Sequence, residues 1–589
     1  VAVGSFIHSN ALLIWVPILN SNIMKNKSIY ISLLGLSLIS TGIVGCKKDF
    51  LNVEPTDRIS TASIETDTAV FEAYVTNRYI ASRLQDKEGD GSAPGFGRGF
   101  EYSMWSSFTD ESIYNNDDAT WLIQRGQLAP ENLGSAGVYW GRSYKSIREC
   151  NYGLEVLGKI GMSAVHKKQL AAELKFVRAF RYQDLIRNYG GVVLMGDKVT
   201  NLTDNLQDPA LFQRASIKES IDYVAAQLDQ AAADLPLDNS SSWMVGRATK
   251  GAALALKSRL LLYAASPLYN AGTWQAAVTA AQAVISLNKY GIYTGGYGNL
   301  FLTDQSNEVI FARLFTKNAN HTHLEIANGP NGYGGWAGNT PLQNLVDDYE
   351  MANGKAITDP TSGYDNNEPY KGRDPRFAAT ILYNGAAYRE RNVETFIPGG
   401  KDSKDGNDNW NTTKTGYYLK KFMNDAYPLQ NPWGNAGFQP WIYFRYAEIL
   451  LNYAEAANEA YGPDAVPSGS TMSARQAINM VRARPGVNMP ELAVGLTQTQ
   501  MRDAVRYERR VELAFEEHRF YDVRRWKIAD VTENKPAAGM IITKTGTGFT
   551  YTPKVALDGR KFETKHYWLP IPRAEILASG GKLQQNPGY

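Results

Sequence analysis

Trp140-Gly-Arg-Ser-Tyr144-Lys-Ser-Ile147-Arg-Glu-Cys-Asn151-Tyr-Gly-Leu154 is the stretch from which the fold can be read. Trp140, Tyr144, Ile147, Asn151 and Leu154 recur at steps of four, three, four and three, which lines them along one face of an α-helix. Leu170, Leu174, Val177 and Phe180 repeat the pattern downstream, and Tyr189-Gly190-Gly191 supplies a glycine stop. Ser216 and Glu219 form a capping box ahead of the stripe Ile217, Ile221, Val224, Leu228 and Leu235, and Pro236 ends it. Runs rich in strong helix formers from Arg247 to Ala265 and from Trp274 to Leu287 predict two further helices. None of these helices can bury its apolar face alone, so antiparallel neighbours must stack. The expected fold is mainly α, an irregular tetratricopeptide-like helical repeat.

Working outward, Phe71, Tyr74, Val75 and Tyr79 mark a helix upstream of this stretch. Between about Asn318 and Gln439 the composition shifts to Gly, Asn, Asp, Pro, Tyr and Trp, and long helical patterns disappear. A loop-rich cap with short strands is expected there. Helices return from Tyr443 to Tyr461, after Ser473 with Gln476, and after Thr497 with Gln500, the last running to about Phe515. Loops held on a rigid scaffold are where binding residues concentrate, so the cap and residues 89–121 are the places to search.

Balanced charge, +2 over 589 residues, gives no field that would favour nucleic acid. Two cysteines, Cys46 and Cys150, cannot build a disulfide framework. Met24, Lys25 and Lys27 followed by the apolar run Ile29 to Val44 read as an export signal, proper over residues 24–45. Ile43-Val44-Gly45-Cys46 resembles the lipobox of bacterial lipoproteins, which makes Cys46 the expected lipidation site and mature N-terminus. Residues 1–23 read as sequence upstream of the true start, the alternative being a two-part membrane anchor. Cys150 is expected to pack a helix rather than act as a nucleophile.

The C-terminal half carries a family resemblance. Arg445-Tyr-Ala-Glu448-Ile-Leu-Leu451 with Ala454-Glu455-Ala456, and Arg509-Arg510-Val-Glu512-Leu-Ala-Phe515-Glu516-Glu517-His518-Arg519-Phe-Tyr-Asp522 with Arg524-Arg525-Trp526, resemble signature stretches of the SusD/RagB family of nutrient-uptake outer-membrane lipoproteins. Arg373-Asp-Pro-Arg376-Phe377, Asp347 through Lys355, Leu569-Pro-Ile-Pro572 and Gln585-Asn-Pro-Gly-Tyr589 match further family stretches. Two departures stand out: Glu517 replaces a usual glycine, and Ser579-Gly580-Gly581 replaces Asn-Pro. The resemblance implies one SusD-like domain over residues 46–589, with an N-terminal helical part to about 300 and a RagB/SusD part beyond. It also implies a lipid anchor, an outer-membrane position facing the cell surface, and a SusC-like TonB-dependent transporter as partner. The charged motif residues Arg509, Arg510, Glu512, Glu516, Arg519, Asp522 and Arg524 read as a structural ion-pair network rather than a catalytic site.

An oligosaccharide ligand presents C–H faces and hydroxyls, so its site needs exposed rings flanked by amides and charged groups. Trp121 beside Asn115, Asn116, Asp117 and Asp118 is one candidate platform, and Tyr333 with Trp336 is another. Trp410 and Trp433 are further candidates. Each ring could equally anchor its own loop. Enzyme readings find less. His321 and His323 with Glu325 complete no metal spacing, and Asp110-Glu111 are adjacent acids that alternate direction, unlike carboxylates facing across a glycosidase cleft. No catalytic residue, cofactor or metal is expected. The competing readings are a surface glycoside hydrolase, a helical-repeat scaffold for proteins, and capture of peptide in place of sugar.

Overall fold

The computed structural model describes residues 61–79, 103–117, 119–137, 139–315, 324–427, 429 and 437–589. The signal segment, Cys46, Asp118, His321, His323 and Trp433 lie outside the described residues. Helix α1, Thr68–Thr76, opens at Asp67, whose carboxylate accepts the Ala69 and Val70 N–H groups. Then come α2 (Tyr139–Lys159), α3 (Ala164–Tyr189), α4 (Ile217–Asp234), α5 (Lys250–Ala265) and α6 (Trp274–Ile285), each packed on the next. Ser163, Ser216, Thr249 and Thr273 cap α3 to α6 with their side-chain oxygens. Helix α3 is central: beyond Leu170 it is buried on almost every face, so its charged groups need internal partners. Arg178, for example, donates to Asn151 Oδ1 at 2.7 Å and Asp197 Oδ1 at 2.6 Å. Cys150 is buried in α2, and burial pushes its thiol up to about 12, as suits a packing residue.

Helix α7 (Tyr446–Tyr461) packs on α6 and α5, and α8 (Ala474–Arg482) and α9 (Gln498–Glu512) pack on α7. The C-terminal helices therefore prolong the same stack, which is the irregular tetratricopeptide-like arrangement expected. All three predicted capping boxes, at Ser216, Ser473 and Thr497, are formed. Four helix limits differ from the periodicity, the simplest being that α6 ends at Ile285, two residues short of Leu287. Helix α5 starts at Lys250, because Arg247 is drawn away to Glu173, with Nε 2.9 Å from Oε1. Helix α9 ends at Glu512, and α7 starts at Tyr446 rather than Tyr443, because Trp441-Ile-Tyr-Phe-Arg445 is a strand. Aromatic and β-branched residues favour that state once a partner strand is available.

Strands β1 (Ser112–Tyr114), β2 (Val309–Arg313), β3 (Asn339–Pro341) and β4 (Trp441–Arg445) form two antiparallel pairs, β1 with β3 and β2 with β4. The longest strands, β5 (Ala537–Thr545) and β6 (Gly548–Leu557), form a hairpin in a stretch beyond Phe515 to which the sequence analysis assigns no element. β5 also binds the cap: Met540 N–H donates to Thr415 O at 2.8 Å and Ile397 N–H to Ile542 O at 2.8 Å. Family terminus residues do a similar job. Asn586 Nδ2 donates to Tyr189 O at 3.1 Å and Leu569 O at 2.8 Å, docking the chain end on the end of α3.

The charged signature residues form a buried lattice. Arg445 reaches Glu308 at 2.9 Å, Glu512 at 2.8 Å and Glu516 at 2.7 Å. Arg484 and Arg376 bind Glu512 as well, at 2.8 and 2.9 Å. Burial opposes the Glu512 charge, but Arg484, Arg445 and Arg376 outweigh it and hold the carboxyl well below the usual range. Arg509 pairs with Asp522 at 2.9 Å, while Arg510 and Arg519 grip Asp110 at 2.8 and 2.7 Å. Apart from Arg519, which is half-buried, these groups are buried rather than solvated. Arg524 departs from the expected network, lying 3.5 Å over the Phe520 ring centre and donating to the Phe520 and His566 carbonyls.

Candidate functional site

Three loops that carry the candidate rings are stitched together by the side chain and backbone of one residue. Asn115 N–H donates to Gly338 O at 2.7 Å, its Nδ2 to Thr412 O at 3.0 Å, and its Oδ1 accepts the Lys414 N–H at 2.9 Å. The β1–β3 pairing fixes the first loop to the second, and Asn331 fixes the second to the third. Asn331 Nδ2 donates to Asn407 O at 2.7 Å, and its Oδ1 accepts the Tyr418 hydroxyl at 2.6 Å. Asn115 and Asn331 are both fully buried. Buried amides whose partners are all internal act as braces, so the expectation that Asn115 flanks a ligand is corrected.

The rings within this frame differ in what they leave open. Trp121 is half-buried: its Nε1–H donates to Tyr114 O at 2.9 Å and its body packs on the small core of Ile113, Leu342, Ala537 and Leu557. Arg125 and Lys414 lie 5.3 and 5.2 Å from its ring centre. Asp117, at φ +68°, uses Oδ1 to accept the Trp121 N–H at 2.9 Å, which makes it a brace for that turn, while Asn116 is exposed. Tyr333 is half-buried and anchored, its hydroxyl donating toward Tyr388 O at 2.7 Å and Arg391 O at 3.0 Å, with Arg391 3.9 Å over its ring. Trp336 is half-buried beside it, its N–H donating to Ile326 O at 2.8 Å. Trp410 is 72% exposed on a single turn of 3₁₀-helix, Asn409–Asn411.

The geometry therefore gives Trp410 the open stacking face, gives Trp121 and Trp336 partial ones, and makes Tyr333 largely a loop anchor. Sequence reasoning missed Lys414 and Arg391, which come from loops remote in the chain and carry no local pattern. The acids weighed for hydrolysis are placed elsewhere. Asp110 and Glu111 are buried, with Asp110 gripped by two guanidinium groups and Glu111 Oε2 accepting the Phe515 N–H at 3.4 Å. Burial pushes the Glu111 carboxyl up to about 7 against the pull of Arg510 and Arg519. Glu325 is likewise internal, accepting the Gln439 amide at 2.7 Å. Among the described residues, no group of three or more His, Cys, Asp or Glu side chains is arranged to hold a metal ion.

Rigid helices below, charges locked inside and aromatic loops braced on top define a helical-scaffold protein of the SusD type. Its C-terminal residues 305–589 match the family described as SusD family, and residues 49–262 match one described as starch-binding associating with outer membrane. A SusD-like protein from Bacteroides fragilis is 30% identical, with 91% of this chain and all of that chain covered and a TM-score of 0.73. A SusD-like carbohydrate binding protein from the same species is 25% identical, covering 89% of this chain and all of its own, with a TM-score of 0.74. SusD-like protein P2 of Formosa agariphila is 22% identical over 525 residues, 82% of this chain and 90% of that protein. The chain belongs to the SusD family.

Proposed function

We propose that the protein captures oligosaccharide at the outer-membrane surface and delivers it, unmodified, to a SusC-like TonB-dependent transporter. The observation that carries this reading is Trp410, a large ring 72% exposed on a loop braced to both other candidate loops. A solvent-facing indole on a braced loop offers a flat apolar face on which the C–H side of a sugar ring can stack. Family membership and the carbohydrate-binding description of one Bacteroides fragilis relative point the same way. A lipid on Cys46 would keep the platform at the membrane, since each buried CH₂ contributes about 0.8 kcal/mol. No bond is broken in this account, and no cofactor is needed.

Affinity electrophoresis against a panel of neutral glycans tests it. At least one glycan is expected to retard the protein, and Trp410→Ala to weaken that retardation about fivefold, the loss of ~1 kcal/mol of stacking. Steady release of reducing ends from the retained glycan would favour a hydrolase instead. Retardation by no glycan would favour a protein- or peptide-binding scaffold.

A further inference from the structure

A cavity of about 220 Å³ opens beside the third loop, between residues 402–413 and the β5–β6 hairpin. Ile397, Met540 and Ile542 give it an apolar lining, and Lys404 and Lys554 both line it too. Neither ammonium group makes a hydrogen bond or ion pair among the described residues. Pairing with β5 runs in unbroken register from Gly548 to Val555, so Lys554 lies on the strand face opposite Phe549 and Tyr551, and that second face becomes half-buried at Lys554 and Ala556.

The one carboxylate in the lining is already neutralised. Asp402 is bound by Arg391 at 2.6 and 2.9 Å and accepts the Glu394 N–H at 2.8 Å. Burial pushes the Lys554 ammonium down, and Lys404 and Lys414 add repulsion, so three cations share this corner, with Asp117 felt only by Lys414. Two hydroxyls complete the lining: Thr395, only 8% exposed, and Thr412 each have a buried Oγ1 with no hydrogen-bond partner. Lys554 is half-buried with no anionic partner and Lys404 is exposed at the rim, so an anion entering the cavity would meet two uncompensated ammonium groups.

We infer that this cavity is a subsite for an anionic group, a uronate carboxylate or a sulfate ester, on a saccharide that also stacks at Trp410. The inference rests on the glycan reading above and narrows it to acidic glycans. Thr412 lies two residues beyond Trp410, so ring and cavity belong to one loop. The apolar lining suits the C–H face of a sugar, while the ammonium and hydroxyl groups suit its anion.

Titration calorimetry of the whole protein tests it with two matched pairs: alginate oligosaccharides beside their carboxyl-reduced form, and sulfated galactan oligosaccharides beside their desulfated form. One acidic member is expected to bind at least about tenfold more tightly than its neutral partner, and which pair shows this separates carboxylate from sulfate. Raising salt to about 0.5 M should narrow the gap. The double variant Lys404→Ala/Lys554→Ala should erase it without changing neutral binding, and Lys404→Arg/Lys554→Arg should keep it. Equal binding within both pairs, or a preference that survives the alanine variant, overturns the acidic subsite and leaves the glycan reading intact. Failure of all four ligands also overturns the subsite, and the neutral panel then decides separately whether the wider reading falls.

Discussion

Glu517 occupies the left-handed region at φ +68°, a conformation that favours glycine. A non-glycine residue there costs about 1 kcal/mol of backbone strain, yet its carboxylate accepts the Trp105 N–H at 3.0 Å. Glu517→Gly should therefore lower rather than raise stability, by roughly 1 kcal/mol net, because it strands a buried donor; chemical denaturation checks this. Glu111 makes a pH prediction. Its folded carboxyl titrates at about 7 against an ordinary 4.5, chiefly because burial disfavours the charge. Between those values the folded state binds more protons than the unfolded state, so this group's contribution to stability is full below pH 4.5 and is lost as pH rises through about 7. Glu111→Gln should flatten that decline in a pH series of thermal melts. Residue chemistry was only partly legible in the sequence. The clustering of opposite charges in Arg509 to Asp522 announced pairing, but partners such as Glu308, Asp110 and Arg376 are set by tertiary approach, and no spacing rule links them.

Elements were legible where their signals were local. Capping boxes at Ser216, Ser473 and Thr497 formed because each requires only residues three apart. β4 was misread as helix because its pattern continues smoothly into Tyr446, and only pairing with β2 makes it a strand. The β5–β6 hairpin carries a local signal of its own, threonine and aromatic alternation around Thr545-Gly546, in a stretch to which the sequence analysis assigns no element. The three loops were recognisable by composition, but not their joining through Asn115 and Asn331. Their rings now make separable predictions. Tyr333→Phe should cost about 1–2 kcal/mol, since its hydroxyl serves the Tyr388 and Arg391 carbonyls. Trp410→Ala should leave the melting temperature unchanged, because the ring is mostly in water; a large loss of stability would show it to be a packing residue.

On the scale of the molecule, one helical stack is closed by one buried lattice of charge. Arg445 joins β4 to Glu308 before β2 and to Glu512 and Glu516 at the end of α9, so the return from the cap and the C-terminal helices meet at a single guanidinium. Arg445→Met leaves three buried carboxylates short of a partner and should destabilise the fold by about 3–5 kcal/mol in urea titration. Upstream of this body, Cys46→Ser should shift the protein from the membrane to the soluble fraction with its melt unchanged, and an unaltered membrane fraction would refute the lipid anchor. Sugar is expected to sit on the braced loops and not on the helices that carry them. Amide hydrogen exchange with and without the most strongly retained oligosaccharide tests it most directly. Slowed exchange confined to residues 112–121, 331–338 and 402–414 is the expected result; protection centred on the helical stack, with those loops unchanged, would contradict the account.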